Sequence, residues 1–158
     1  MQEAEDAYHK AINIDPNFAM TYYNLGVLLQ AQGRAQEAEE AFRLAIAKDP
    51  NHSNAYSYLG QLLKSQGRLQ EADAVNRQAI EHNPENITAY YDLIRIKILE
   101  GETDNALDYL MKVTNKEDFS PAWAWRDPEL ENLRQDSRFE EIVGPNPKIL
   151  DKSVNPPQ

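Results

Sequence analysis

GRAQEAEEAFRLAIAKDPN, residues Gly33–Asn51, and GRLQEADAVNRQAIEHNPE, residues Gly67–Glu85, are two versions of one stretch set 34 residues apart. Aligned from Pro16 and from Pro50, the two units share sixteen of 34 positions, reading P, N, Y, L, G, L, L, Q, G, R, Q, E, A, R, A, I. A third unit starts at Pro84 and keeps Tyr90, Leu93, Gly101 and Ala106. A period of this length marks an array of supersecondary units, and it decides the fold before any other feature does.

Within each unit the apolar period is helical. Tyr22, Leu25, Leu28 and Leu29 fall on one face of a first helix, helix A, as do Tyr56, Leu59, Leu62 and Leu63 in the next unit. Gly33, Gly67 and Gly101 follow, where a left-handed residue ends a helix at low cost. Ala38, Phe42, Ala45 and Ile46 then stripe a second helix, helix B, matched by Ala72, Val75, Ala79 and Ile80. Helix B stops before Pro50 or Pro84, because the residue preceding a proline is pushed out of helical geometry. The chain therefore reads as all-α. Gly26 and Gly60 recur inside helix A, where glycine costs about 1 kcal/mol relative to alanine. Close packing of helix axes is the expected compensation, helped by Ala38, Ala45, Ala72 and Ala79. One helical pair cannot bury its apolar faces alone, so neighbouring pairs must stack.

The frame Y-x2-L-G-x2-L, then G, then A-x3-F-x2-A, then P, over 34 residues, resembles the tetratricopeptide repeat from about Ala4 to Val113. The resemblance implies a solenoid: a right-handed superhelix of antiparallel helix pairs, with three full repeats over residues 17–116 and helix A lining a concave groove. The third unit departs from the pattern. Ile94 stands at the glycine position, Lys97 where leucine or an aromatic is usual, and no proline follows, so looser packing is expected there.

Residues 1–16 carry Ala4, Tyr8, Ala11 and Pro16 in helix-B register with no helix A before them. They read as a half-repeat. Either the chain is a piece of a longer array, or a partner or a second copy associates with this helix through Tyr8 and Ile12. Residues 117–144 read as capping helices that close the stack. Asp127-Pro128 looks like an N-cap followed by proline at the first helical position, and Asp136 caps SRFEEIV, stopped at Gly144. Leu130, Leu133, Phe139 and Ile142 are the apolar residues of this cap. Residues 145–158, with four prolines, read as a flexible tail or a docking segment.

Sixteen Lys and Arg against 26 Asp and Glu give a net charge of −10. Such a surface repels nucleic acid and anionic lipid. No apolar run approaches the roughly 18 residues that would span a bilayer, and no leader of signal-peptide type is visible. The chain has no cysteine, which excludes disulfides and thiolate chemistry and fits a cytoplasmic protein. Phosphate-cradling loops, nucleophile elbows and H-E-x-x-H are absent. His9, His52 and His82 lie far apart in the repeat frame, and the EAEE run at Glu37–Glu40 and the acid at Glu117 read as solvated. No catalytic residue, metal or cofactor is expected.

That leaves binding. The resemblance implies groove residues at positions 2, 5, 6 and 9 of each helix A, counted from Ala19, Ser53 and Ile87. These are Met20, Tyr23, Asn24 and Val27; Asn54, Ser57, Tyr58 and Gln61; and Thr88, Tyr91, Asp92 and Arg95. Tyr23, Tyr58 and Tyr91 suit peptide recognition, since tyrosine offers rigid contact area with a polar tip. Tyr58→Ala and Tyr91→Ala are accordingly expected to weaken a partner without unfolding the stack. Members of the family that grip the acidic tails of heat-shock chaperones place Lys and Arg in the groove. Here only Asn24 matches, so such tails are not expected ligands. The chain reads as a non-catalytic protein–protein interaction module, an adaptor, scaffold or assembly factor holding a peptide segment or helix. The rival readings are the docking arm of a larger enzyme such as a transferase, and a self-assembling subunit.

Overall fold

The structure, a computed structural model, describes residues 2–147. Most of the proline-rich stretch at 145–158 lies outside the described residues. Among these residues all regular structure is helical: α1 (Gln2–Ile14), α2 (Ala19–Ala31), α3 (Ala35–Lys48), α4 (Ser53–Ser65), α5 (Leu69–His82), α6 (Ile87–Leu99), α7 (Thr103–Thr114), α8 (Pro121–Arg126) and α9 (Ser137–Val143). Two one-turn 3-10 segments, Pro128–Leu130 and Leu133–Gln135, separate α8 from α9. The chain forms two compact units, Met1–Ala89 and Tyr90–Gln158, with the boundary inside α6.

Two turn chemistries alternate along the chain. Within a helical pair, Gly33, Gly67 and Gly101 adopt φ of 75°, 75° and 76°. At the first of these, the Gly33 N–H donates to the Gln30 carbonyl and the Arg34 N–H to the Leu29 carbonyl, both at 3.0 Å. The left-handed residue thus satisfies carbonyls that the helix end would leave open. Between pairs, the Asn17 N–H donates to Asp15 Oδ1 at 3.0 Å, Asn51 N–H to Asp49 Oδ1 at 3.0 Å, and Glu85 N–H to Asn83 Oδ1 at 3.1 Å. An Asx side chain closes each turn around its proline. Asp49 and Asn83 are extended, as residues before proline must be.

In the first unit α2 and α3 approach closely because Gly26 has no side chain. A Cβ there would lie 2.6 Å from Cε1 of Phe42, whose ring fills the seam. Gly60 plays the same part in the next pair, where a Cβ would lie 2.5 Å from Nδ2 of Asn76. Asn76 is fully buried. Its Nδ2 donates to the Ala72 carbonyl at 3.0 Å, while Oδ1 has no hydrogen-bond partner among the described residues. At the corresponding positions of the second unit stand Ile94 and Leu110, both fully buried, so helix A there carries bulk as well as helix B. Lys97, the other departure from the pattern, is buried with its Nζ 2.7 Å from Glu100 and 3.2 Å from Glu102. Both departures therefore keep a packing or charge partner.

Successive pairs in the first unit meet through apolar contact and a recurring arginine. Tyr22, Ala45 and Ala55 form a buried cluster with Ile12, Tyr23 and Ile46 packed against it. Arg34 donates to both carboxylate oxygens of Glu5 at 2.8 and 2.7 Å, and to Glu37 at 2.7 Å. Arg68, 34 residues on, donates to Glu39 at 2.6 Å and to Glu71 at 2.7 Å. Half-exposed pairs of this kind contribute on the order of 1 kcal/mol or less. Their repetition does more for register than for stability.

The second unit corrects one expectation. The stretch after Pro128 is not a capping helix but two 3-10 turns. The Asp127 carbonyl accepts from the Leu130 N–H at 3.1 Å and from Arg134 Nη1 at 2.7 Å, so the first turn closes three residues on. A further helix, α8, begins earlier with Pro121 in its first turn. The second expected helix is present as α9. Asp136 Oδ1 accepts from the Arg138 N–H at 3.0 Å, and Gly144 follows at φ 86°. Leu130, Leu133, Phe139 and Val143 are buried. Trp125 packs edge-on against Phe139 at 5.0 Å and donates through Nε1 to the Gly144 carbonyl at 3.1 Å.

Asn76→Leu removes an unmet buried acceptor but brings bulkier methyl groups against Gly60, so the two effects oppose each other and stability, read from the urea midpoint, should change by no more than about 1 kcal/mol. A second expectation concerns pH. Hydrogen bonds from Arg68 hold Glu39 below its ordinary 4.5, and those from the Arg138 side chain and backbone hold Asp136 at about 2 rather than 3.8. A carboxylate lowered in the folded state stabilises above its ordinary pKa, and that contribution is lost as pH falls through the folded value. The melting temperature should therefore drop between about pH 4.5 and 2, and Asp136→Asn should flatten the lower part of that drop.

Candidate functional site

The helix-A positions divide between the two units. Met20, Tyr23, Asn24, Val27, Asn54, Ser57, Tyr58, Gln61 and Thr88 lie in the first; Tyr91, Asp92 and Arg95 lie in the second. In the first unit an aromatic wall joins neighbouring pairs. Tyr23 and Tyr58 meet edge to face at 5.4 Å, and Phe42 lies behind them at 6.2 and 5.7 Å. The His52 ring sits 4.9 Å from Tyr23, while its Nδ1 caps α4 by accepting from the Ala55 N–H at 3.3 Å. Burial, together with the Tyr58 hydroxyl, holds the Tyr23 phenol above its ordinary pKa. Ring stacking of this kind is worth about 0.5–1.5 kcal/mol per pair beyond area burial.

Around this wall the remaining positions differ in what they offer. Met20, Asn54 and Thr88 are exposed, and Asn24, Val27 and Gln61 are half-buried. The side-chain amides of Asn24, Asn54 and Gln61 form no hydrogen bond to another described residue. Ser57 is buried and its Oγ accepts from Asn86 Nδ2 at 3.1 Å, so it serves the fold. A cleft of about 300 Å³ opens at Met20, lined also by Asn17, Phe18, Ala19, Lys48, Asp49 and His52. His52, Phe42 and this cleft were not among the expected site residues. The aromatic letters at 42 and 52 were the available signal.

In the second unit the three positions come together but turn inward. Tyr91 is only 7% exposed and Asp92 fully buried, so neither presents much surface. Arg95 donates to Asp127 Oδ2 from Nη2 at 2.6 Å and from Nε at 3.1 Å, with Glu129 Oε2 3.2 Å from Nε and Asp92 Oδ1 3.3 Å from Nη1. Its guanidinium lies 5.9 Å from the centre of the Tyr91 ring. Burial disfavours the Arg95 charge, but the hydrogen bond to Asp127 and the charges of Asp127, Glu129 and Asp92 together more than offset it, and the pKa is raised. Burial and the Asp127 charge push the Tyr91 phenol up to about 12. Among the described residues no three or more His, Asp or Glu side chains are placed to hold a metal, and no helix is long and apolar enough to cross a membrane.

This placement revises the mutational expectation. Tyr58→Ala removes a ring packed on Phe42 and Tyr23 and should cost about 2 kcal/mol of stability. Asn24→Ala and Asn54→Ala should stay within about 0.5 kcal/mol. Urea denaturation of the three variants checks both expectations.

Two family models, each described as tetratricopeptide repeat, match residues 17–85 and 63–124. No curated protein matches the sequence significantly. Among solved structures the chain is similar to a crystal structure of MamA at 23% identity and TM-score 0.71, covering 88% of this chain and 80% of that one. It is similar to another crystal structure of MamA protein at 22% identity and TM-score 0.75, covering 98% and 86%. A MamA fragment from Desulfovibrio magneticus RS-1 aligns at 22% identity and TM-score 0.64 over 73% and 66%. At these identities the likeness concerns the fold. With the family models spanning both helical pairs of the first unit and continuing into the second, the chain belongs to the tetratricopeptide-repeat family.

Proposed function

We propose that the chain is a non-catalytic protein-interaction module that holds an extended segment or a helix of a partner protein against the helix-A face of its first unit. The observation that carries this reading is the Tyr23–Tyr58 wall flanked by the unengaged amides of Asn24, Asn54 and Gln61. Tyrosine rings held by neighbours offer contact area at little entropic cost. A carboxamide carries both donor and acceptor, which suits the N–H and C=O groups of a bound main chain. The cleft at Met20, with Phe18 on its wall, has room for one bulky apolar side chain.

Met20, Tyr23, Asn24, Val27, Asn54, Tyr58 and Gln61 carry no formal charge. The cleft adds one charge of each sign, Lys48 and Asp49, so recognition should rest mainly on shape and hydrogen bonds and affinity should change less than about threefold between low and high salt. The test is a peptide selected against the whole chain from a random display library. The combined Asn24→Ala, Asn54→Ala and Gln61→Ala variant should bind that peptide at least about tenfold more weakly, a loss of about 1.4 kcal/mol, with an unchanged melting temperature. Equal binding by the folded variant would move the site off this face.

A further inference from the structure

The chain's three histidines are placed differently, and one of them can do its work only without charge. His9 is exposed with Nε2 3.8 Å from Glu5 Oε1, so a charged ring there meets a carboxylate. His82 is exposed too, and its Nδ1 donates to Asn51 Oδ1 at 3.1 Å, an N–H that a protonated ring keeps. His52 is wired the other way. Its Nδ1 accepts from the Ala55 N–H at 3.3 Å and caps α4, which puts the proton of the neutral ring on Nε2. A second proton must take the lone pair that makes the cap, and two N–H groups would then face each other. Cap and charge exclude one another.

The surroundings give a charged ring no replacement for that bond. His52 Nε2 is buried without a hydrogen-bond partner among the described residues, and the ring forms no ion pair with any of them. Lys48 and Asp49, at the end of α3, bring one charge of each sign to the same cleft, and the titratable neighbour on α2 is the Tyr23 phenol. The face of the Tyr23 ring attracts a cation, but it restores no acceptor to the Ala55 N–H. Thirty-four residues to either side stand Phe18, which caps nothing, and Asn86, whose Oδ1 accepts from the Ala89 N–H at 3.1 Å and has no proton to gain. Of the three equivalent positions, only 52 holds a cap that can titrate. Its ring lies 4.9 Å from Tyr23, and Tyr23 lies 5.4 Å from Tyr58, so the start of α4 is tied to the aromatic wall.

We infer that His52 is a pH-sensitive positioning residue for the first-unit face. Neutral, it ties the start of α4 to Tyr23; protonated, it gives up the cap and loosens the Tyr23–Tyr58 wall, and a bound partner is released by mild acidification. The effect on the partner rests on the proposed use of that face, whereas the effect on α4 does not. The cap stabilises while the ring is neutral and is lost as pH falls through the imidazole range, about pH 8 to 5. Ordinary carboxylates stay ionised over most of that range, so the ion pairs of Arg34 and Arg68 persist through it.

The experiment uses the whole chain, first without a ligand. In a titration followed by NMR from about pH 8 to about pH 5.5, the Ala55 amide proton should shift with the same midpoint as the His52 ring, and the Tyr23 ring protons should move with it. The Ala89 amide, capped by Asn86, should show no step at that midpoint. An Ala55 amide that ignores the His52 titration overturns the inference. The second arm uses the display-selected peptide in a form free of histidine and blocked at both ends. It should bind at least about threefold more weakly at about pH 5.5 than at about pH 7.5. His52→Asn supplies the same kind of cap as Asn86 and should remove that dependence, while His9→Gln and His82→Gln should keep it. For a peptide seated on this face, affinity that holds steady in the unaltered chain, or a dependence that survives His52→Asn, overturns the inference. Should the combined Asn24, Asn54 and Gln61 variant show that the peptide binds elsewhere, the proposed use of the face fails and the Ala55 titration alone decides the switch.

Discussion

The approach of two helix backbones at Gly26, with the Phe42 ring pressed into the gap, is the contact on which the first unit is built. The same ring that closes the α2–α3 seam reaches Tyr23 and Tyr58 on the helix-A face. Core and face are therefore joined through one ring. Interiors packed at crystal density transmit a change of even one methylene. The helix-A and helix-B residues at the corresponding seam positions are glycine with phenylalanine, glycine with asparagine, and isoleucine with leucine. In the middle pairing the Asn76 amide brings an acceptor that no described residue satisfies.

Charge has two different duties in the two units. Arg34 and Arg68 lie half in solvent and tie each helix B to the one before it, where an ion pair adds little energy but favours one register. Arg95 is more enclosed and is surrounded by Asp92, Asp127 and Glu129. Breaking one partner of an enclosed pair is costly because a charge is left behind without its counterpart. The net charge of −10 predicts neither arrangement. It bears on long-range attraction and repulsion, whereas both arginine sites are set by which carboxylate lies within 3 Å.

Much of the candidate site was legible from letters alone, and the shortfall has a consistent cause. Tyr23 and Tyr58 were marked by their register positions and do form a wall, while Tyr91, marked by the same rule, is buried. Whether a helix-A residue faces solvent depends on what else packs over it, and no periodic pattern places that. Asp127-Pro128 carried a sound helix-start signal, since aspartate does cap and proline does follow. Arg134, seven residues on, takes the Asp127 carbonyl and the chain closes as a 3-10 turn. Such a contact competes with the local signal from outside the window in which that signal is written.

The amino-acid sequence by itself determined the 34-residue repeat, the turns that bound the repeat helices and the family. Each of these rests on effects acting within a few residues: a left-handed glycine, an Asx side chain closing a turn, a proline that bars the helix before it. Only the tertiary structure decided that Asn76 is buried with an unmet oxygen, that Asn24, Asn54 and Gln61 keep their amides unengaged, and that Arg95 is held by the chain's own acids. Burial and ion pairing join residues far apart in sequence, 32 from Arg95 to Asp127 and 34 from Asp104 to Arg138. They are settled by which surfaces meet when the helices pack, and a periodic sequence specifies the helices without naming every neighbour.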